Sequence, residues 1–147
     1  MQWLPEYDLG IPVIDEQHRR IVDYINDLER ANELGNSGYI TFVLQGLVDY
    51  TLTHFQFEEG LQERVGYRYA KAHKHAHAIF IKRIASFRER HKGGEDVTKE
   101  LLFMLQTWLA NHIKGDDRDY GELVRKNMAV STKWADRDVH DGAGQRT

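Results

Sequence analysis

Residues four apart on a helix differ by only ~40° around its axis, so their side chains stand side by side. Two pairs in this chain combine that spacing with metal-binding chemistry: His54 with Glu58, and His73 with His77. Each pair falls on the stripe that also carries its segment's apolar residues, and is therefore expected to face inward. His18 and His112 fall on the inward stripes of two further segments. Asp117 follows His112 by five residues, which on an unbroken helix turns it ~140° away. Gly115, between them, offers a break that swings it back to the same centre. One inward histidine is ordinary core packing. Five imidazoles and two carboxylates in one small core are not, because burying polar groups is costly unless bonding partners offset the lost water. Metal coordination is the compensation these residue types share.

Ligand number and type narrow the metal. Seven nitrogen and oxygen donors exceed one tetrahedral zinc, which four ligands usually satisfy. The run His73-Lys74-His75-Ala76-His77 also lacks the glutamate after the first histidine that a zinc-protease helix uses as its base. Two ions sharing bridging carboxylates fit better. Imidazole with carboxylate suits iron, manganese or cobalt, and iron is the usual cellular occupant. His73 and His77 can chelate one ion from a single helix, with His112 completing three imidazoles. His18 and His54 fall to the second ion, and Glu58 and Asp117 bridge. With one solvent-derived bridging oxygen the first ion has six ligands and the second five, which leaves a position for an exogenous ligand.

Four helices must deliver these residues. Both prolines, Pro5 and Pro12, precede the first periodic segment, so nothing after Pro12 forbids a helix. Asp15 is the expected N-cap of the first helix, whose inward stripe is His18, Ile21, Val22, Ile25 and Leu28. Gly35-Asn36-Ser37-Gly38 reads as a turn. The second helix carries Ile40, Val43, Leu44, Leu47, Thr51, His54, Glu58 and Leu61 and ends near Gly66. The third carries His73, His77, Phe80, Ile84 and Phe87 and stops around His91-Lys92-Gly93-Gly94. The fourth carries Leu101, Leu105, Trp108, Leu109 and His112 to Gly115. A shorter helix is expected from Arg118 to Trp134, followed by a polar tail from Ala135 to Thr147. The fold expected is all-α: an antiparallel up-down four-helix bundle with an N-terminal extended arm and a short C-terminal helix. The domain occupies residues 1–134 and the tail 135–147.

Composition excludes several other classes. The 147 residues suit one domain, and 41% hydrophobic with 29% charged residues is ordinary globular usage. A formal charge of −3 with no basic block argues against nucleic-acid binding. No apolar run approaches the ~20 residues of a membrane helix, and the N-terminus lacks the pattern of a signal peptide, so a cytoplasmic location is expected. Without cysteine there is no disulfide, thiolate zinc site or Fe–S cluster. Of the remaining histidines, His75 points away from the core, His91 lies at a helix end and His140 in the tail.

The motifs resemble those of hemerythrins, specifically the single-domain bacteriohemerythrins. The matching stretches are Gly10-Ile11-Pro12-Val13-Ile14-Asp15-Glu16-Gln17-His18, His54-Phe55-Gln56-Phe57-Glu58-Glu59, His73 to Phe80, and Trp108-Leu109-Ala110-Asn111-His112-Ile113 with Asp117. The resemblance spans about residues 3 to 130 and includes all seven candidate ligands in order. It implies a non-heme di-iron centre with an oxo or hydroxo bridge that binds dioxygen reversibly. In that family the oxygen is held as hydroperoxide at the five-coordinate iron, which carried over is the one held by His18 and His54. The family's oxygen-pocket positions fall on Phe80, Trp108, Leu109, Ile113 and Tyr120. This chain departs from the family pattern at Arg68, where proline is frequent, and at Ala76, where a glutamate commonly stands.

An oxygen-binding protein for storage, delivery or scavenging, rather than an enzyme, is therefore expected. Its partners would be dioxygen and an oxygen-requiring enzyme or redox protein, and the chain is expected to be a monomer. The alternatives are an oxygen or redox sensor acting through a protein partner, and a di-iron enzyme handling peroxide or nitric oxide. Ferritin-like oxidases use Glu-x-x-His pairs and about four carboxylates; here no Glu-x-x-His occurs.

Overall fold

The structure, a computed structural model, describes residues 1–127. Its helices are α1 (Pro12–Leu34), α2 (Ser37–Arg64), α3 (Ala70–Lys92) and α4 (Thr98–Asn111). A π-helical turn, His112–Asp117, continues α4 directly into a last helix, α5 (118–127). No strand occurs among the described residues. Short turns join the long helices into an antiparallel up-down bundle, in which α1 packs on α2 and α4, and α2 on α3. The expected helix from Arg118 is present as far as residue 127; its continuation to Trp134 and the tail 135–147 lie outside the described residues.

The antiparallel arrangement brings the polar inward residues to one level. His18 lies near the start of α1, His54 and Glu58 towards the end of α2, His73 and His77 at the start of α3, and His112 just past α4. The opposite end is a dry core of Ile25, Leu28, Leu44, Leu47, Ile84, Leu101 and Leu105, each buried to within 1% of complete. Burying such side chains contributes about 1.5–3 kcal/mol apiece, and it is this plug that tolerates a polar cluster beside it.

Three local features differ from the sequence expectation. Asp15 is not the cap of α1. Pro12 takes the first helical position, where its missing N–H is no loss, and buried Asp15 sits one turn in. Its carboxylate accepts from Leu9 N at 2.9 Å and Gly10 N at 3.2 Å, which ties down the N-terminal arm. That arm also carries a 3-10 turn at Pro5–Tyr7. In the first inter-helix turn only Gly35 and Asn36 are non-helical. Gly35 closes α1 in the left-handed region (φ 64°), and the Asn36 side chain caps α2 by accepting from Tyr39 N. Finally, the chain does not break at Gly115: its φ is not positive, and it lies within the π-helical turn.

Candidate metal centre

All seven residues singled out for coordination meet in one cluster, each 6% exposed or less. Glu58 lies at its middle with its two oxygens divided. Oε1 is 2.8 Å from His54 Nε2 and 3.4 Å from His18 Nε2. Oε2 is 3.2 Å from His77 Nε2, 3.5 Å from His73 Nε2 and 3.6 Å from His112 Nε2. Asp117 divides the same way: Oδ2 is 2.9 Å from His18, while Oδ1 is 3.0 Å from His112 and 3.3 Å from His73. The donors form two groups, Glu58 with His73, His77 and His112, and Glu58 with His18, His54 and Asp117. Within each group the donor atoms lie within 4.8 Å of one another and so converge on a common space.

The π-helical turn places the second carboxylate. In an α-helix a residue five positions on points away, but a turn wound for i→i+5 bonding brings it back above its starting point. Asp117 thereby faces His112 Nε2 from inside, while Asp116 approaches Nδ1 of the same ring at 3.4 Å from outside.

The hydrogen-bonding inventory tests whether cations fit here. The five Nε2 atoms and all four carboxylate oxygens are buried without a hydrogen-bond partner, although they approach one another as closely as 2.8 Å. Lone pairs that converge at such distances without aligning on one another are disposed as ligands of a common cation. The charges agree. Burial alone would favour neutral His18, but Asp117 and then Glu58 hold its proton and lift it to about 9. His73 reaches about 9 against the same opposition from burial, through the same two carboxylates. Burial likewise opposes the rise of His112, which Asp117 drives well above the usual range. Burial also works against the Glu58 and Asp117 carboxylates, yet both stay below their ordinary range, Glu58 through His54 and His112, Asp117 through His112 and His18. Protons on the imidazoles and cations between them are thus alternative ways of balancing the same carboxylates.

Outer partners fix the rings. His54 Nδ1 donates to Gln17 Oε1 at 2.7 Å, and His77 Nδ1 lies 3.5 Å from Glu59 Oε1. Sequence reasoning missed Gln17, Glu59 and Asp116 as partners, although each is the chain neighbour of a cluster residue: Gln17 precedes His18, Glu59 follows Glu58 and Asp116 precedes Asp117. They supply the orienting groups that Ala76 does not.

Aromatic rings close the cluster. Phe55, also missed, stacks on His77 at 3.7 Å and 4°. Trp108 stacks on His112 at 4.5 Å and 14°, and Phe80 stacks in turn on Trp108 at 3.6 Å. Tyr120 meets His73 edge-on at 5.6 Å, with its hydroxyl buried and without a hydrogen-bond partner. Burial first, then Glu58 and Asp117, push that phenol far above its usual range, so it keeps its proton. Of the five expected pocket residues, Phe80, Trp108 and Tyr120 therefore lie against the three-imidazole side. Leu109 and Ile113 are fully buried at 0% exposure.

Fold and cluster together define a four-helix bundle with a buried donor set that could hold metal ions. A family model for the hemerythrin HHE cation binding domain matches residues 9–124. Bacteriohemerythrin of Pseudomonas aeruginosa is 46% identical over 131 residues, 89% of this chain and 86% of that protein. Bacteriohemerythrin of Stenotrophomonas maltophilia is 44% identical over 126 residues, 86% and 82% of the two chains. A solved wild-type hemerythrin superposes with a TM-score of 0.80 at 30% identity, over 84% of this chain and 97% of its own. The chain belongs to the hemerythrin family. No described helix is long and apolar enough to cross a membrane.

Proposed function

We propose that this protein binds dioxygen reversibly at a di-iron centre held by His18, His54, Glu58, His73, His77, His112 and Asp117. The observation that carries this reading is the division of the two carboxylates, each offering one oxygen to either side of the cluster. Three imidazoles and two carboxylate oxygens then serve one iron, and two imidazoles and two carboxylate oxygens the other. The side of His18 and His54 therefore offers one protein donor fewer, and an open position for an exogenous ligand would fall there. A di-iron centre held there would supply the two-electron redox chemistry that reversible dioxygen binding requires.

The chain's own residues determine that release is possible. A set with five imidazoles and two carboxylates places less negative charge on iron than carboxylate-rich oxidase sites do, which disfavours the high-valent states that attack substrates. Phe55, Phe80 and Trp108 give the cluster an apolar wall, with Leu109 and Ile113 buried in the same stretch of chain as Trp108. Tyr120 retains a proton at its hydroxyl inside this wall, a donor held beside the carboxylates. Gln17 fixes the His54 ring so that Nε2 faces inward. The role is that of an oxygen carrier or store, supplying an oxygen-requiring enzyme or redox partner.

The test is a visible spectrum of the iron-loaded, anaerobically reduced protein before air, after air and after argon. The expected result is a charge-transfer band that appears in air and disappears under argon, at two irons per chain. A band that forms once and never reverses would displace carriage in favour of redox sensing or an enzymatic role. Absence of any oxygen-dependent change at full iron loading would overturn the open position at His18 and His54.

A further inference from the structure

Seven donors enclosed in a bundle need a route by which ions arrive. His73 is the most exposed of them at 6%, against 3% or less for the other six. Two cavities reach the cluster from the surface, and their chemistry differs. One, about 490 Å³, lies between α3 and α4 and ends on Trp108 and His112. Its walls include Phe87, Phe103 and Met104, together with Arg83. The other, about 310 Å³, opens beside Tyr67 and Tyr69 and has His73 in its lining, with Ala72 and Ala76 on α3 and Asp116 and Asp119 opposite. No lysine or arginine lines this second cavity.

We propose that the cavity among Tyr67, Ala76, Asp116 and Asp119 is the entry port for divalent cations, which are gathered by the two aspartates and passed inward at His73. This rests on the reading of the cluster as a metal centre. Asp116 and Asp119 are exposed, three residues apart, and so project from neighbouring positions of one helical face. Two carboxylates at the mouth of a cleft concentrate cations and speed their capture. The volume suffices: at about 30 Å³ per water, an ion with six waters takes roughly 200 Å³. Hard divalent ions shed that shell stepwise onto oxygen ligands, and the port offers carboxylates and phenols before the first imidazole. Tyr67 donates its hydroxyl to Asp119 at 3.4 Å, holding that carboxylate at the rim. At the inner end, His73 Nε2 lacks a hydrogen-bond partner and stands 3.3 Å from Asp117 and 3.5 Å from Glu58. An ion reaching His73 is therefore already within the reach of both bridging positions. The cavity exists because residues 72 and 76 are alanines; a longer side chain at 76 would occupy it.

The experiment is stopped-flow uptake of Co(II) by the metal-free full-length protein under argon, followed by cobalt absorption. Ala76→Leu plugs the port, Asp119→Asn removes charge from its rim without touching the seven donors, and Thr107→Leu obstructs the other cavity as a control. Ala76→Leu is expected to slow uptake at least tenfold while reaching the wild-type cobalt content and final spectrum. Asp119→Asn is expected to slow uptake about three- to tenfold at low salt and to weaken its dependence on ionic strength. Thr107→Leu should load at the wild-type rate. Wild-type rates in both port variants, or slow loading in Thr107→Leu alone, would overturn the port. Asp119→Asn decides the matter by itself should Ala76→Leu misfold. Failure of the wild-type protein to take up cobalt at all would instead overturn the metal-centre reading on which the port depends.

Discussion

Gln17→Ala should weaken one of the two ions and leave the other alone. The Gln17 amide oxygen accepts from His54 Nδ1 at 2.7 Å, and Gln17 makes no hydrogen bond to any other cluster imidazole. With Nε2 given to a metal ion, Nδ1–H is the only other polar atom of the ring. Removing its acceptor leaves a part-buried donor unsatisfied, at a cost of about 1–3 kcal/mol, and frees the ring to rotate. That corresponds to a loss of roughly 5- to 150-fold in affinity, which brackets the 10–100-fold typical of losing a partner behind a metal-bound histidine. The loss should fall on the ion shared by His18 and His54, because Gln17 hydrogen-bonds to no ring of the other group, where Glu59 stands at His77 and Asp116 at His112. Gln17→Glu should act in the opposite sense, since a charged acceptor makes a hydrogen bond about twice as strong. The assay is calorimetric and spectroscopic titration of metal-free protein with Co(II), resolving two binding steps. Equal weakening of both steps, or weakening confined to the tighter three-imidazole step, would refute the assignment of His54 to the second ion.

Replacing Glu58 by Gln removes one of the two divided oxygens, and metal analysis should fall from about two ions per chain to about one; retention of both at unchanged affinity would contradict the bridging role. In the metal-free protein, His18 and His73 stand at about 9 against an ordinary 6.5, so the stability they confer is complete below about pH 6.5 and is lost as pH rises through 9. Glu58 and Asp117 are lowered, so their contribution is present above the ordinary carboxylate range near ~4 and is lost as pH falls below it. Urea midpoints of the metal-free protein should therefore peak between about pH 5 and 7, while metal-loaded protein should keep its stability to higher pH because cations replace the protons. Gly115→Ala should retain full metal content and gain about 0.5–1 kcal/mol in unfolding experiments, because a Cβ there meets no atom within 4 Å and the backbone is not left-handed; loss of metal binding would show that the turn requires glycine.

The bundle and its inward residues were legible because both depend on periodicity. His18, His54, Glu58, His73 and His77 sit on 3.6-residue stripes shared with Ile21, Leu47, Phe80 and Ile84, and burial follows such stripes whatever the side chain. What periodicity could not show was any departure from it. Asp117 required a change of helical winding, and residues 111–118 contain no proline that would mark where a π turn begins. Asp15 has the residue type of a cap, but Pro12 starts the helix three residues earlier and leaves that carboxylate free to bind the arm. Gln17, Glu59 and Asp116 escaped because each lies beside a stripe rather than on it. Their role depends on which edge of a neighbouring ring they meet, and that is tertiary information.

The wide turn after α4 changes how many side chains can share one bearing on the helix. In α-helical winding successive residues are ~100° apart, so a single downstream position overlies any given residue closely. The looser π winding lets the adjacent pair Asp116 and Asp117 both address His112, one at each ring nitrogen. Removing one residue from the turn would restore ordinary winding and still bring one aspartate over His112. Tyr120 and Val124 would keep facing inward, since everything downstream shifts together. What would vanish is the two-sided grip on the imidazole. The extra residue therefore works as a spacer in the helical register, letting a single ring be both oriented from the surface and served from the core.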